Sequence, residues 1–250
     1  MIQRITQHMR ENRRLLHEIN GRLIGIQASN KEILFAQYFR DSIQDSTWIH
    51  DKGFSAYAGA ANYSLLYKLF KILDVVRPEA VLEFGLGQTT KMTSQYAEAN
   101  DKAKVVVIDD DPEWVGIYKK QTTLPKNLKL VTVGLQDFKH DGETLQKMSE
   151  YAGLEKVLGK SKFNLVIVDG PIGYDKEYSR TNVVSLVGNL ADTWVVVFDD
   201  AERPGEQRTM DLFREKLNEK SLKYSEFEVT GSKTQHYFCT ERLYKTVFAI

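Results

Sequence analysis

VLEFGLGQTTKM, residues 81–92, runs from apolar residues through an acid, Glu83, into two glycines spaced GxG, then into a polar stretch that reads as the start of a helix. A Gly-rich turn between strand and helix lets a backbone approach a nucleotide closely. Alone it is a weak signal, so the flanking segments decide its meaning. AVLEFG (80–85), KVVVIDD (104–110), LKLVTVG (128–134), FNLVIVDG (163–170) and TWVVVFDD (193–200) are short β-branched runs ending in Gly or Asp. Helical stretches separate them: QTTKMTSQYAEAN, PEWVGIYKKQ, a segment spanning roughly 143–158, and SRTNVVSLVGNL. PGEQRTMDLFREKLNEK follows the fifth run as a further helix, opened by Pro204. This alternation predicts βαβ units, hence an α/β, doubly wound Rossmann-like sheet of five parallel strands. The tail, YSEFEVTGSKTQHYFCTE, offers two strands about a Gly-Ser-Lys turn with no helix between them, an antiparallel hairpin at the sheet edge.

In an open sheet of this kind ligands bind outside the carboxyl ends of the strands. Those ends carry Glu83, the Asp109-Asp110-Asp111 run, Asp169, and Asp199-Asp200. One acid after a strand is ordinary as a helix cap. Acids on four strands at one edge make a negative site, suited to a cationic ligand, a metal ion or ligand hydroxyls. A dinucleotide turn would require G-x-G-x-x-G, and counting from Gly85 the third glycine falls on Thr90. Glu83 beside the turn would repel a pyrophosphate and attract a sulfonium or an ammonium. S-adenosylmethionine carries both cations and no phosphate.

VLEFGLG (81–87), VVVIDDDPEWV (105–115) and FNLVIVDGP (163–171) resemble the first, second-strand and fourth-strand motifs of class I S-adenosylmethionine-dependent methyltransferases. The resemblance covers roughly residues 60–245, and Thr89 stands where many members have a third glycine. It implies that Glu83 meets the methionine amino group, that Gly85 and Gly87 line the ligand, and that Thr90 either meets the methionine carboxylate at a helix N-terminus or serves as a simple cap. Asp109 would bind the ribose hydroxyls, Asp110 border the adenine, and Asp137, in GLQDF, either read the adenine amino group or stand as a plain loop acid. FGLG, VDGPIGY and VVFDDAERP further resemble plant glucuronoxylan methyltransferases and related bacterial sugar methyltransferases, whose acceptor is a sugar hydroxyl or sugar acid. Catechol-type methyltransferases place metal-binding acids where Asp169 and Asp199 or Asp200 stand, with Asp-Asn where this chain has Asp-Asp.

The expected function is therefore O-methylation of a saccharide or another small hydroxylated acceptor. An alcohol is a poor nucleophile until it loses its proton to a base or binds a metal. Asp169 and Asp200 are the candidate catalytic acids, with Asp169, Asp199 and Asp200 as ligands if magnesium takes part. His50 and His140 are alternative bases, and Tyr174, Arg180 and Arg203 lie in loops over the same edge. Arg203 suits an anionic acceptor. Rival expectations are a nicotinamide-dependent oxidoreductase, opposed by Glu83 and Thr90, and a catalytically silent assembly subunit, opposed by the intact turn and Asp109.

Residues 1–58 read as a helical extension to a methyltransferase domain over 59–250. Within 2–26, Ile2, Met9, Leu16 and Leu23 take heptad position a and Ile5, Asn12, Ile19 and Ile26 position d, the seam of a coiled coil that joins subunits or, as the alternative, of a helix packed on its own domain. Gly21 and Gly25 weaken that helix, and Ser29-Asn30-Lys31-Glu32 matches a capping box, predicting a second helix from about residue 30. Lys and Arg equal Asp and Glu at 34 each in 250 residues, which gives no field for nucleic acid. Cys239 is the single cysteine, no run has the length of a membrane span, and the first residues lack the apolar core of a signal peptide. A cytoplasmic protein is expected.

Overall fold

A computed structural model describes the backbone of residues 2–56, 60–140, 143–173 and 176–250, and the side chains of 8–56, 60–137, 150–173 and 176–250. The expected sheet is there. β1 (Ala80–Phe84), β2 (Lys104–Asp109), β3 (Leu128–Thr132), β6 (Phe163–Val168) and β7 (Leu190–Phe198) run parallel in the order β3-β2-β1-β6-β7. β9 (Thr234–Thr240) pairs antiparallel with β7, and β8 (Tyr224–Thr230) closes the edge. The strands register so that Phe84 lies beside Ile108 and Val168, and Val168 beside Phe198. The acids that follow these residues therefore emerge on one edge.

Alternation along the strands splits the core into two layers. Val81, Val105, Leu165 and Val195 face α2 (Tyr63–Val75), α3 (Gln88–Ala99) and α8 (Glu241–Ala249). Leu82, Val166, Val196 and Phe198 face α5 (Leu154–Leu158), α6 (Asn182–Ser185) and α7 (Pro204–Glu219). α4 (Pro112–Gln121) starts with Pro112 at its first turn and is capped by Asp111, whose carboxylate accepts from the amides of Glu113 and Trp114.

Two expectations are corrected. Residues 143–151 are not helical: β5 (Glu143–Tyr151) pairs antiparallel with β4 (Leu135–His140), and only Leu154–Leu158 of that stretch forms a helix. Cross-strand pairing of Leu135–His140 with Glu143–Tyr151 overrides the weak helical pattern. The N-terminal segment is a single helix, α1 (Ile2–Gln44), unbroken at Gly21 or Gly25 and not restarted near residue 30. The Glu32 carboxylate does not close a capping box. It accepts from the Tyr63 amide at 2.5 Å, Asn62 Nδ2 at 3.0 Å and the Ser232 amide at 2.8 Å, and so pins α1 to the domain. Phe39 and Ile43, near the end of α1, enter the core. Residues 8–27 are exposed. Ile2 and Ile5 of the heptad lie outside the described side chains. No helix among the described residues is long and apolar enough to cross a membrane.

Candidate active site

The turn after β1 is built around Glu83. Alternation sends this side chain to the same face as Val81, toward α3, where it is fully buried. Its Oε1 accepts from the hydroxyls of Thr89 at 2.6 Å and Thr90 at 2.7 Å, and its Oε2 from Thr93 at 2.8 Å. Thr90 Oγ1 in turn accepts from the Gly87 amide at 3.0 Å. Glu83 thus clasps the first turns of α3 to the sheet, and Thr89, in the place of a third glycine, supplies one of the hydroxyls. Desolvation raises its carboxyl to about 7 against the pull of those three donors. Neither Glu83 nor Thr90 lines the cavity described next.

Gly85 is required twice over. Its φ is +94°, and a Cβ there would lie 2.8 Å from the Asp169 carbonyl oxygen. That close approach brings the ends of β1 and β6 together. At Gly87 a Cβ would meet nothing within 4 Å, because the residue borders a cavity of about 380 Å³. This volume falls within the ~300–1,000 Å³ range of small-molecule sites. Asp109 and Asp110 stand on one wall. Asp109 holds the turn open, its Oδ2 accepting from the Leu86 amide at 2.7 Å and its Oδ1 from the Asp111 amide at 2.9 Å. Trp114 donates its indole N–H to the Leu86 carbonyl at 2.8 Å and presents a partly exposed ring. Tyr151, delivered by β5, stacks on Phe84, and its buried hydroxyl has no hydrogen-bond partner.

The far wall carries Asp169, Asp200, Arg180 and Arg203. Arg180 is buried, with a left-handed backbone φ of 60°. Its Nη2 lies 2.8 Å from Asp200 Oδ2 and 3.2 Å from Asp169 Oδ1, and its Nη1 donates to the Asp199 carbonyl at 2.7 Å. Arg203 Nη2 is 2.8 Å from Asp200 Oδ1. Lys233, from the turn between β8 and β9, sits 3.1 Å from Asp199 Oδ2 and 3.3 Å from Asp200 Oδ1. Gln235 donates to Asp199 Oδ1 at 2.7 Å. Asp169 keeps 19% of its side chain exposed. Desolvation, and then repulsion from Asp199, raise its carboxyl well above the ordinary range, with Arg180 and Lys233 opposing.

The cavity therefore gathers Gly85, Gly87, Asp109, Asp110, Asp169 and Asp200. Asp137 stands apart, exposed on β4 and off the cavity wall. His50 lines an adjoining cleft of about 810 Å³ between α3 and α4, which shares Leu86, Gly87 and Trp114 with the cavity, and there it faces Glu98 at 3.8 Å. The His140 side chain and Tyr174 lie outside the described residues. Tyr151, Lys233 and Gln235 went unread in the sequence, since no local pattern marks them and only the fold brings them to the site.

No protein-family model matches the chain, and no curated protein matches it in sequence. Among solved structures it is similar to a candidate caffeoyl-CoA O-methyltransferase from Staphylococcus aureus, at 11% identity, with 84% of this chain and 99% of that one covered and a TM-score of 0.50. A methyltransferase from Podospora anserina, bound to S-adenosylhomocysteine, matches at 14% identity over 88% and 94%, with a TM-score of 0.48. An O-methyltransferase of tomaymycin synthesis from Streptomyces achromogenes, in complex with S-adenosylmethionine, matches at 16% over 84% and 89%, with a TM-score of 0.46. At such identities the likeness is one of fold, and it rests on the first of the three. The chain has the fold of class I S-adenosylmethionine-dependent methyltransferases.

Proposed function

We propose that the protein is an S-adenosylmethionine-dependent methyltransferase acting on a hydroxyl oxygen of a small acceptor, with a saccharide the class favoured by the sequence. One observation carries the proposal. A single cavity joins the Gly85–Gly87 turn and Asp109, which suit the cofactor, to Asp169, a carboxylate whose affinity for a proton is raised. The unpartnered Tyr151 hydroxyl in the lining of the same cavity fits a site that a polar ligand completes. When bound, S-adenosylmethionine supplies an electrophilic methyl group. Asp109, fixed by two backbone amides, retains lone pairs for the ribose hydroxyls, and Asp110 borders the base. The N-terminus of α3, which opens at Gln88 on the cavity lining, would favour the methionine carboxylate. Glu83 acts at one remove by fixing that helix. Asp169 would take the acceptor's proton as the methyl passes from the sulfonium to the acceptor oxygen, the S–CH3 bond breaking as the O–C bond forms and S-adenosylhomocysteine leaving as the neutral thioether, and Arg180 holds the carboxylate in place.

The test is turnover. Methyl-labelled S-adenosylmethionine is incubated with a panel of sugars, nucleotide sugars and catechols. A methyl ether of one sugar class is expected, and Asp169→Asn should lower kcat by about 10²–10⁴-fold, the usual weight of a general base. Full activity in Asp169→Asn would move the base elsewhere.

We also infer that α1 joins subunits, with a second copy of this chain as its partner. Met9, Leu16, Ile19, Leu23 and Ile26 are each more than half exposed and continue one heptad stripe that includes Asn12. In proteins most helical stability comes from packing an apolar face, and pairing the stripe would bury it.

A further inference from the structure

One carboxylate oxygen each from Asp169, Asp199 and Asp200 lie within 4.8 Å of one another, a grouping that could hold a divalent ion. The surroundings do not fit one. Magnesium would need several oxygens free to converge at about 2.0–2.1 Å in a near-octahedral shell. Here both oxygens of Asp200 face guanidinium groups at 2.8 Å, and both oxygens of Asp199 are held, by Gln235 at 2.7 Å and Lys233 at 3.1 Å. The nearest oxygen of Asp169 is 3.2 Å from Arg180. Arg180 is also tied to the Asp199 carbonyl and buried, so it cannot swing aside without stranding its charge. An incoming divalent ion would meet three cations, Arg180, Arg203 and Lys233, at close range.

The geometry points to Arg180 and Lys233 as the resident cations of this acid cluster, standing where a divalent metal would otherwise sit, so that the site handles its acceptor without a metal ion. The two come from segments remote in sequence, the loop after β6 and the turn between β8 and β9, and they converge on acids ending β6 and β7. A metal site gains from an acceptor with two adjacent oxygens that both enter its coordination shell. A site with built-in cations has no such requirement, and one hydroxyl beside Asp169 suffices. This inference rests on the proposed methyl transfer for its meaning. Its test reads metal binding alone, so a failure of cofactor binding would leave the metal result standing.

The experiment titrates the full chain with Mn²⁺, following free ion by electron paramagnetic resonance, for the wild type, Lys233→Met and Arg180→Met. Thermal unfolding of each variant is recorded alongside. The wild type should show no saturable Mn²⁺ site at micromolar ion, and removing either cation should raise Mn²⁺ affinity at least about tenfold. Should Arg180→Met fail to fold, Lys233→Met, with 16% of its side chain exposed, carries the comparison. Micromolar Mn²⁺ binding by the wild type that disappears in Asp169→Asn would overturn the inference. So would folded variants that bind Mn²⁺ no better than the wild type, because the cations would then not be what keeps the ion out.

Discussion

At the scale of the residue, Glu83 shows how a motif and its use come apart. The acid-x-Gly-x-Gly spacing marks the turn correctly, and the charge argument aims Glu83 at the ligand. The period-2 alternation in VLEF already places Glu83 with Val81 and away from Leu82 and Phe84, so its helix-facing side was legible. The three threonines that satisfy it were in view as well, at the spacing of one helix face. Its pH behaviour follows from burial. Folding raises this carboxyl from 4.5 to about 7, so the native state keeps a proton that the unfolded chain releases. Its contribution is fully present below pH 4.5 and is lost as pH rises through 7, on the order of 3 kcal/mol in all. Urea midpoints measured between pH 4.5 and 8 should fall for the wild type over this range and fall much less for Glu83→Gln. Parallel curves for the two proteins would show that Glu83 is ionised throughout.

At the scale of the element, the parallel strands and their helices could be read because each β-branched run ends in a glycine or an aspartate and each helix carries its own start signal, as with Asp111 and Pro112 before α4. The β4–β5 hairpin could not, since its residues carry neither strong alternation nor a β-branched run. The hairpin matters because β5 ends in Tyr151, which reaches the cavity wall stacked on Phe84. Tyr151→Phe keeps the ring and removes a buried hydroxyl that has no partner. Calorimetry should find S-adenosylmethionine affinity lower by about three- to tenfold, the scale of one hydrogen bond, with the melting temperature unchanged or higher. Unchanged affinity would take Tyr151 out of the ligand's reach. The turn Gly231-Ser232-Lys233 was legible as a turn, but not as the source of a cation for Asp199. That pairing depends on β9 lying beside β7, a fact of topology with no local signature.

At the scale of the whole molecule, a balanced net charge conceals a local arrangement in which acids at the strand ends are matched by cations from distant loops. α1 runs on as one helix of 43 residues because Glu32, which the sequence offers as a cap, is bound by the amides of Tyr63 and Ser232. The domain holds the end of that helix and leaves its first half exposed. Deleting residues 2–26 should lower the mass measured by light scattering while S-adenosylmethionine binding persists. An unchanged number of chains per particle would show that the exposed stripe does not join subunits. The central claim, that the cavity beside Gly87, Asp109 and Asp169 is a cofactor site, is tested most directly by titration calorimetry of the purified protein with S-adenosylmethionine. The account predicts one saturable site per chain, weakened by roughly 1–3 kcal/mol in Asp109→Asn, the scale of hydrogen bonds to a charged group. No saturable binding to the wild type, or equal binding to Asp109→Asn, would contradict it.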